Sequence, residues 1–362
     1  MDRVRADGPG RGGTGAGEPG GTGEPDEKWT GWGKRARGQG SWDDPPRTGR
    51  TGSAHPADPT GPTDPAVLAA FARRVRIRMT VTAVVAVLLM ALVYAVLVLT
   101  VPGQLWEDAV LVGRHQDETL AAAHEASRTL DHITATSLGL AVLLLAAVGL
   151  LRRRYALTAV AVGCVAVSLL LAEVLKRFVL PRPDLTEAPR HLLGNSFPSG
   201  HTSIAMSVMF GLVLVVPYRM RGLAAGLCFP WAAFVGAYTV AAGWHRPSDT
   251  FGADLLVLAV ACALTAALAR AGLVRPGPAR RFPLRFVFVV VPLALVAVVG
   301  LLTGAVLLEA MPALPSPGPR GPALAYRAGH ALAAGASALT ALCFLALLRR
   351  VDLDRPSSRA DT

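Results

Sequence analysis

The stretch "RRVRIRMTVTAVVAVLLMALVYAVLVLTV", residues 73–101, decides the architecture. A cluster of arginines runs directly into residues 79–101, which carry no charge. An uncharged run of that length crosses about 30 Å of hydrocarbon as a helix. Seven further apolar runs follow, at roughly 133–151, 156–175, 201–217, 222–243, 251–270, 286–308 and 329–348. The chain has 362 residues, of which 52% are hydrophobic and 17% charged, and its mean hydropathy is +0.43. Those values exclude an ordinary soluble enzyme of this length. The expected fold class is all-α, a polytopic membrane helix bundle of about eight transmembrane helices.

The connections set the expected topology. "RRVRIR" (73–78) precedes the first run; "RRRY" (152–155), "YRMR" (218–221), "RPGPARRFPLR" (275–285) and "RR" (349–350) follow the second, fourth, sixth and eighth. Every second connection is therefore basic, and the positive-inside rule puts these on the cytoplasmic side of the plasma membrane, with both termini. The alternate connections, roughly 102–132, 176–200, 244–250 and 309–328, face outside. The first of them carries Glu107, Asp108, Asp117, Glu118, Glu125 and Asp131 against Arg114 and Arg128, and is expected as a surface helix over the bundle.

This divides the chain into a disordered cytoplasmic segment (1–65), a first transmembrane helix with its outer connection (66–132), a membrane core (133–272), two additional helices (273–350) and a cytoplasmic tail (351–362). Residues 1–65 are too rich in Gly, Pro, Thr, Asp and Arg to bury a core. The formal net charge of +11 fits membrane topology better than nucleic acid, because many of the arginines flank apolar runs. Cys164, Cys228, Cys262 and Cys343 lie inside apolar runs with no metal-ligand spacing and read as small buried hydrophobes.

Three polar segments fall on the outer side: "KRFVLPRP" (176–183), "PSGH" (198–201) and "HRPSD" (245–249). The short "YRMR" makes the helices on either side antiparallel neighbours, so His201 and His245 come to one membrane face. Two cations, a helix start, two histidines and a carboxylate in one place suit an anion, phosphate above all. Pro198 ends any preceding helix, Ser199 is placed as an N-cap, and Gly200 lets the backbone approach a ligand. The free N–H groups and the helix dipole then point at one spot. His201 is placed to protonate a leaving oxygen. Asp249, four residues after His245, is placed to accept from one ring nitrogen and leave the other as a nucleophile. Lys176 and Arg182 would neutralise charge on phosphoryl oxygens.

These motifs resemble the type-2 phosphatidic acid phosphatase superfamily, integral-membrane lipid phosphatases related to vanadium haloperoxidases. The pattern of that family is K-x6-RP, then PSGH, then SR-x5-H-x3-D. "PSGH" at 198–201, "RP" at 182–183 and His245 with Asp249 match it, within about 156–270. The resemblance implies hydrolysis of a lipid phosphate or pyrophosphate, phosphatidate-like or polyprenyl-phosphate-like, at the extracytoplasmic face. His245 would form a phosphohistidine, Asp249 would orient it and His201 would be the general acid. Lys176, Arg182, Ser199 and Gly200 would bind phosphate, with no metal or other cofactor. The implied partners are a membrane lipid phosphate and the bilayer, with no nucleic acid.

Two positions depart from the pattern. Five residues, not six, separate Lys176 from Arg182, and Tyr238 and Thr239 stand where Ser-Arg is expected. One missing clamp of this kind costs on the order of 2–4 kcal/mol of transition-state stabilisation. Arg246, Arg190 or His191 is expected to compensate, with Arg246 placed in the phosphate site. A catalytically impaired lipid-phosphate binder and a phosphotransferase are the alternative readings. Trp106 and Trp244 read as interfacial anchors, Glu173 as a partner for an outer cation, and Asp254 as a locally paired acid.

Overall fold

The computed structural model describes residues 64–114, 120–133, 135–187, 194–277, 286–314 and 318–353, all within one unit of the chain, Pro56–Thr362. The expected disordered segment lies outside these residues, apart from its last two positions; so do Arg190, His191, Asp117 and Glu118.

Helix α1 (Pro65–Val93) starts where Asp64 accepts the Ala66 N–H and Pro65 fits the first helical turn. It continues as a wider π turn through Val98. α2 (Val101–Arg114) and α3 (Leu120–Asp131) follow. The remaining helices are α4 (Ala135–Leu151), α5 (Tyr155–Val174, extended to Val179 by a π turn), α6 (Gly200–Val215), α7 (Arg221–Ala241), α8 (Pro247–Arg270), α9 (Val291–Glu309) and α10 (Arg320–Leu347). A two-residue ribbon pairs Arg275–Pro276 with Val351–Asp352.

The fold is the expected helical bundle. Among the described residues, six helices are long and apolar enough to cross a membrane: Pro65–Val98, Tyr155–Val179, Arg221–Ala241, Pro247–Arg270, Val287–Glu309 and Arg320–Leu347. The other two expected spans, Ala135–Leu151 and Gly200–Val215, are apolar but shorter. α8 is the central rod. Its apolar window is 72% buried, against 22% for α1, which packs along it. The outward faces of α1, α4 and α9 expose Val84, Leu88, Leu143, Leu144, Leu295 and Leu302, the chemistry expected where lipid replaces water.

The basic connections gather at one end. Arg78 donates to the Leu347 carbonyl and Arg152 to that of Val215, orphan carbonyls at helix ends, while Arg221 donates to that of Val351 in the ribbon. The ribbon lies at this end too, after α8 and α10. The histidines lie at the opposite end, as the alternation of connections requires.

α9 and α10 approach backbone to backbone. A Cβ at Gly300 would stand 2.7 Å from the Ala331 carbonyl oxygen and 3.0 Å from Gly335 Cα; one at Gly304 would stand 2.4 Å from Leu332 Cγ. This is the G-x-x-x-G contact of membrane helices. Gly300→Leu should therefore cost about 1–3 kcal/mol by overpacking, visible as a lower melting temperature in detergent. Gly139→Leu, at a glycine with nothing within 4 Å, should leave the transition in place.

Candidate active site

The first turn of α8 carries the most heavily bonded carboxylate of the site. Asp249 is fully buried, and its Oδ2 accepts from the Arg246 N–H at 2.8 Å, the Ser196 hydroxyl at 2.5 Å and His245 Nδ1 at 3.2 Å. It therefore caps α8 and holds the imidazole together. With Nδ1–H facing Asp249, the proton-free Nε2 is left for chemistry. Just before it, the Trp244 and His245 N–H groups both donate to the Thr239 carbonyl, folding the chain tightly over the end of α7.

α6 begins beside this loop. Ser199 is its N-cap, the hydroxyl accepting from the Thr202 N–H at 3.3 Å, while the Ser199 N–H donates to the Asp249 carbonyl at 2.9 Å. His201, in the first turn, stands 6.2 Å from His245 between ring centroids. Trp244, expected as an anchor, packs on the His201 ring at 5.3 Å. Lys176 comes from the end of α5, its Nζ 4.0 Å from where a Gly200 Cβ would be, so the ammonium lies over the start of α6. Glu173 bonds Lys176 at 3.4 Å and Arg177 at 2.8 Å, as its expected pairing with an outer cation requires. Asn195 fastens this corner, its amide donating to the Lys176 and Leu180 carbonyls.

The segment expected as a surface helix instead enters the site. Gln104, Glu107 and Asp108 share one face of α2. Glu107 is fully buried. One oxygen accepts from Arg182 Nη1 at 2.8 Å and the other from the Ser248 N–H at 3.1 Å, joining the "RP" arginine to the first turn of α8. Asp108 accepts from Arg246 Nη2 at 3.2 Å and from the Thr186 hydroxyl at 2.9 Å. Gln104 donates to the Pro183 carbonyl and accepts the Leu185 N–H. Burial pushes the Glu107 carboxyl up to about 7, against the opposing pull of the Arg182 charge.

Several expectations change. Arg246, expected in the phosphate site, is only 4% exposed and bonded to Asp108 and the Gly194 carbonyl. Arg182 shares its guanidinium with Glu107, while its Nη2 is buried with no hydrogen-bond partner among the described residues. Trp106 is buried against Val110, Val240 and Tyr326 rather than lying at an interface. Asp254 reaches out of its own helix to accept from Ser337 of α10 at 2.8 Å. Thr239 is buried, its hydroxyl turned to the Gly236 carbonyl at 2.8 Å, so no cation projects from that turn of α7. Sequence reasoning counted Glu107 and Asp108 only toward loop charge. The available signal was their spacing from Gln104, which puts three polar groups on one helical face.

The structure thus brings His201, His245, Asp249, Lys176, Ser199 and Gly200 to one end of the bundle, with Arg182 tied to the same α8 turn through Glu107. Among the described residues no set of three His, Cys, Asp or Glu side chains is arranged to hold a metal ion. Residues 154–273 match the family model described as the PAP2 superfamily, consistent with a member of the type-2 phosphatidic acid phosphatase superfamily. Comparison with curated proteins and with solved structures gives no match. α2 lies outside the matched residues.

Glu107→Gln keeps the shape of the side chain and removes its charge. In the fold the carboxyl holds its proton up to about 7, whereas the ordinary value is 4.5. The folded chain therefore binds the extra proton between those values, and stability falls as pH rises through that window, by roughly 3 kcal/mol in all. Melting temperature recorded against pH should show this slope for the wild type and a flatter curve for E107Q.

Proposed function

Starting from a PAP2-superfamily segment at residues 154–273, we propose that the protein is a membrane phosphatase acting on a lipid phosphate or pyrophosphate. The observation that carries this reading is the pair of imidazoles 6.2 Å apart, one in the first turn of α6 and the other in the loop before α8 and bonded to a buried carboxylate. His245 Nε2 attacks phosphorus, the N–P bond forms and the bond to the leaving oxygen breaks. Asp249 stabilises the ring as it becomes positive. His201 gives its proton to the leaving oxygen and then takes one from the water that cleaves the phosphohistidine, releasing inorganic phosphate and restoring His245. Lys176, Arg182 and the α6 N-terminus, with Ser199 and Gly200, hold the phosphoryl oxygens, where a positive helix end and charged donors are most effective.

The reading places this end of the bundle at the extracytoplasmic face of the plasma membrane, with the arginine-rich end and both termini in the cytoplasm. A lipid substrate fits that position: its chains stay in the bilayer while its headgroup reaches the histidines. Phosphatidate, phosphatidylglycerol phosphate and polyprenyl phosphates or diphosphates share the required chemistry. A second reading, a lipid-phosphate binder with impaired catalysis, is favoured by one observation: Thr239 is buried and supplies no cation.

A panel of these lipids in detergent micelles separates the two readings. The hydrolase requires phosphate release by the wild type and its loss in His245→Ala; equal release by both proteins would point to the binder. His201→Ala should slow turnover by about 10²- to 10⁴-fold. Asp249→Asn should lower kcat by a comparable factor, about 10⁴-fold, through the wrong His245 tautomer. A phosphorylated imidazole trapped by rapid acid-free quench should map to His245.

A further inference from the structure

We infer that Arg114, at the end of α2, supplies the phosphate-facing guanidinium that α7 lacks at Thr239. This rests on the phosphatase reading of the site. Arg114 comes from outside the matched segment, yet its side chain reaches the loop that presents His245. Its Nε donates to the Ala241 carbonyl at 3.1 Å. Its fork lies on Gly243: a Cβ there would meet Nη1 at 2.5 Å, Cδ at 2.6 Å and Cζ at 3.0 Å. Gly243 has a φ of 69°, a left-handed conformation that glycine adopts without strain, and the missing side chain is what makes room for the guanidinium.

The position is built on both sides. From the loop side, the Trp244 and His245 N–H groups are tied to the Thr239 carbonyl, so Ala241 and Gly243 are held at a constant offset from the His245 ring. From the α2 side, Glu107 and Asp108 fix the helix to Arg182, Ser248 and Arg246. Gly113 lets α2 lie directly on α10, where a Cβ would fall 1.9 Å from the Pro322 carbonyl oxygen. Arg114 therefore projects from a rigid post.

Charge partition points the same way. Among the cations that flank the loop, Arg246 is bonded to Asp108, and Arg182 shares one of its two terminal nitrogens with Glu107. Among the described residues, no carboxylate lies within ion-pair distance of Arg114. With Nε on a carbonyl, Nη1 and Nη2 keep donors for a phosphoryl oxygen, the bidentate geometry that suits arginine. The ligand is the phosphoryl group of the substrate. The same donors would take inorganic phosphate, the product.

The test uses the full chain in detergent micelles and two probes, inorganic phosphate by titration calorimetry and dioleoyl phosphatidate by phosphate release. R114A should bind inorganic phosphate more weakly than the wild type, with R114K between them and an unchanged melting temperature. On phosphatidate, R114A should lose about 30- to 1000-fold in kcat/KM, and millimolar guanidinium should restore part of that loss. Phosphate binding by R114A equal to the wild type overturns the assignment. So does a loss that follows a lowered melting temperature and does not respond to guanidinium, since that marks a loop brace only. A wild type that binds phosphate but releases none from any lipid of the panel sinks the hydrolase reading instead, and Arg114 is then judged on the calorimetry alone. A wild type that does not bind phosphate sinks both.

Discussion

A single oxygen, Oδ2 of Asp249, holds the polar end of this bundle together. It takes a donor from the ring of His245, one from the backbone of Arg246 and one from the hydroxyl of Ser196. Three pieces of chain meet there: the loop over α7, the start of α8 and the approach to α6. A buried carboxylate is costly, and the three donors on Oδ2 offset part of that cost, while Oδ1 is buried with no hydrogen-bond partner among the described residues. Orientation of the His245 ring and capping of α8 are thus one interaction. Replacing Asp249 would disturb where α6 and α8 begin relative to each other, as well as the His245 tautomer, because the same oxygen accepts from Ser196 before α6 and from the Arg246 N–H at the start of α8.

Around that centre the charges are arranged in pairs. Glu107 faces Arg182, Asp108 faces Arg246, and Glu173 faces Lys176 and Arg177. Such pairing holds long cationic side chains in place. Two of the three acids come from α2, so the segment that carries the motifs does not complete its own site. The α2–α10 contact extends the dependence further: α10 backs α2, and α9 backs α10.

Much of this was legible in the sequence. The apolar runs marked the helices because a membrane demands length and lack of charge, and both are visible residue by residue. The spacing of His245 and Asp249 marked the carboxylate–imidazole contact because four residues bring side chains together at a helix start. Composition does not show that α4 and α6 are shorter than the other apolar helices, nor that most residues of α6 are buried between neighbours. The fate of the arginines was not legible. Whether Arg182 and Arg246 meet substrate or an acid depends on a helix 75 or more residues away in sequence, and no local pattern encodes that pairing.

Phe197 has a consequence for permeation. Its ring is fully buried, lies against Gly252, where a Cβ would stand 2.5 Å from it, and meets the ring of Tyr94 at 5.4 Å. These aromatic groups form an oily plug directly under the polar end, with Val98, Ala172 and Leu256 around it. The polar groups around the histidines face this apolar layer below them. In the reading proposed above, released phosphate would leave by the polar end and not through the bundle.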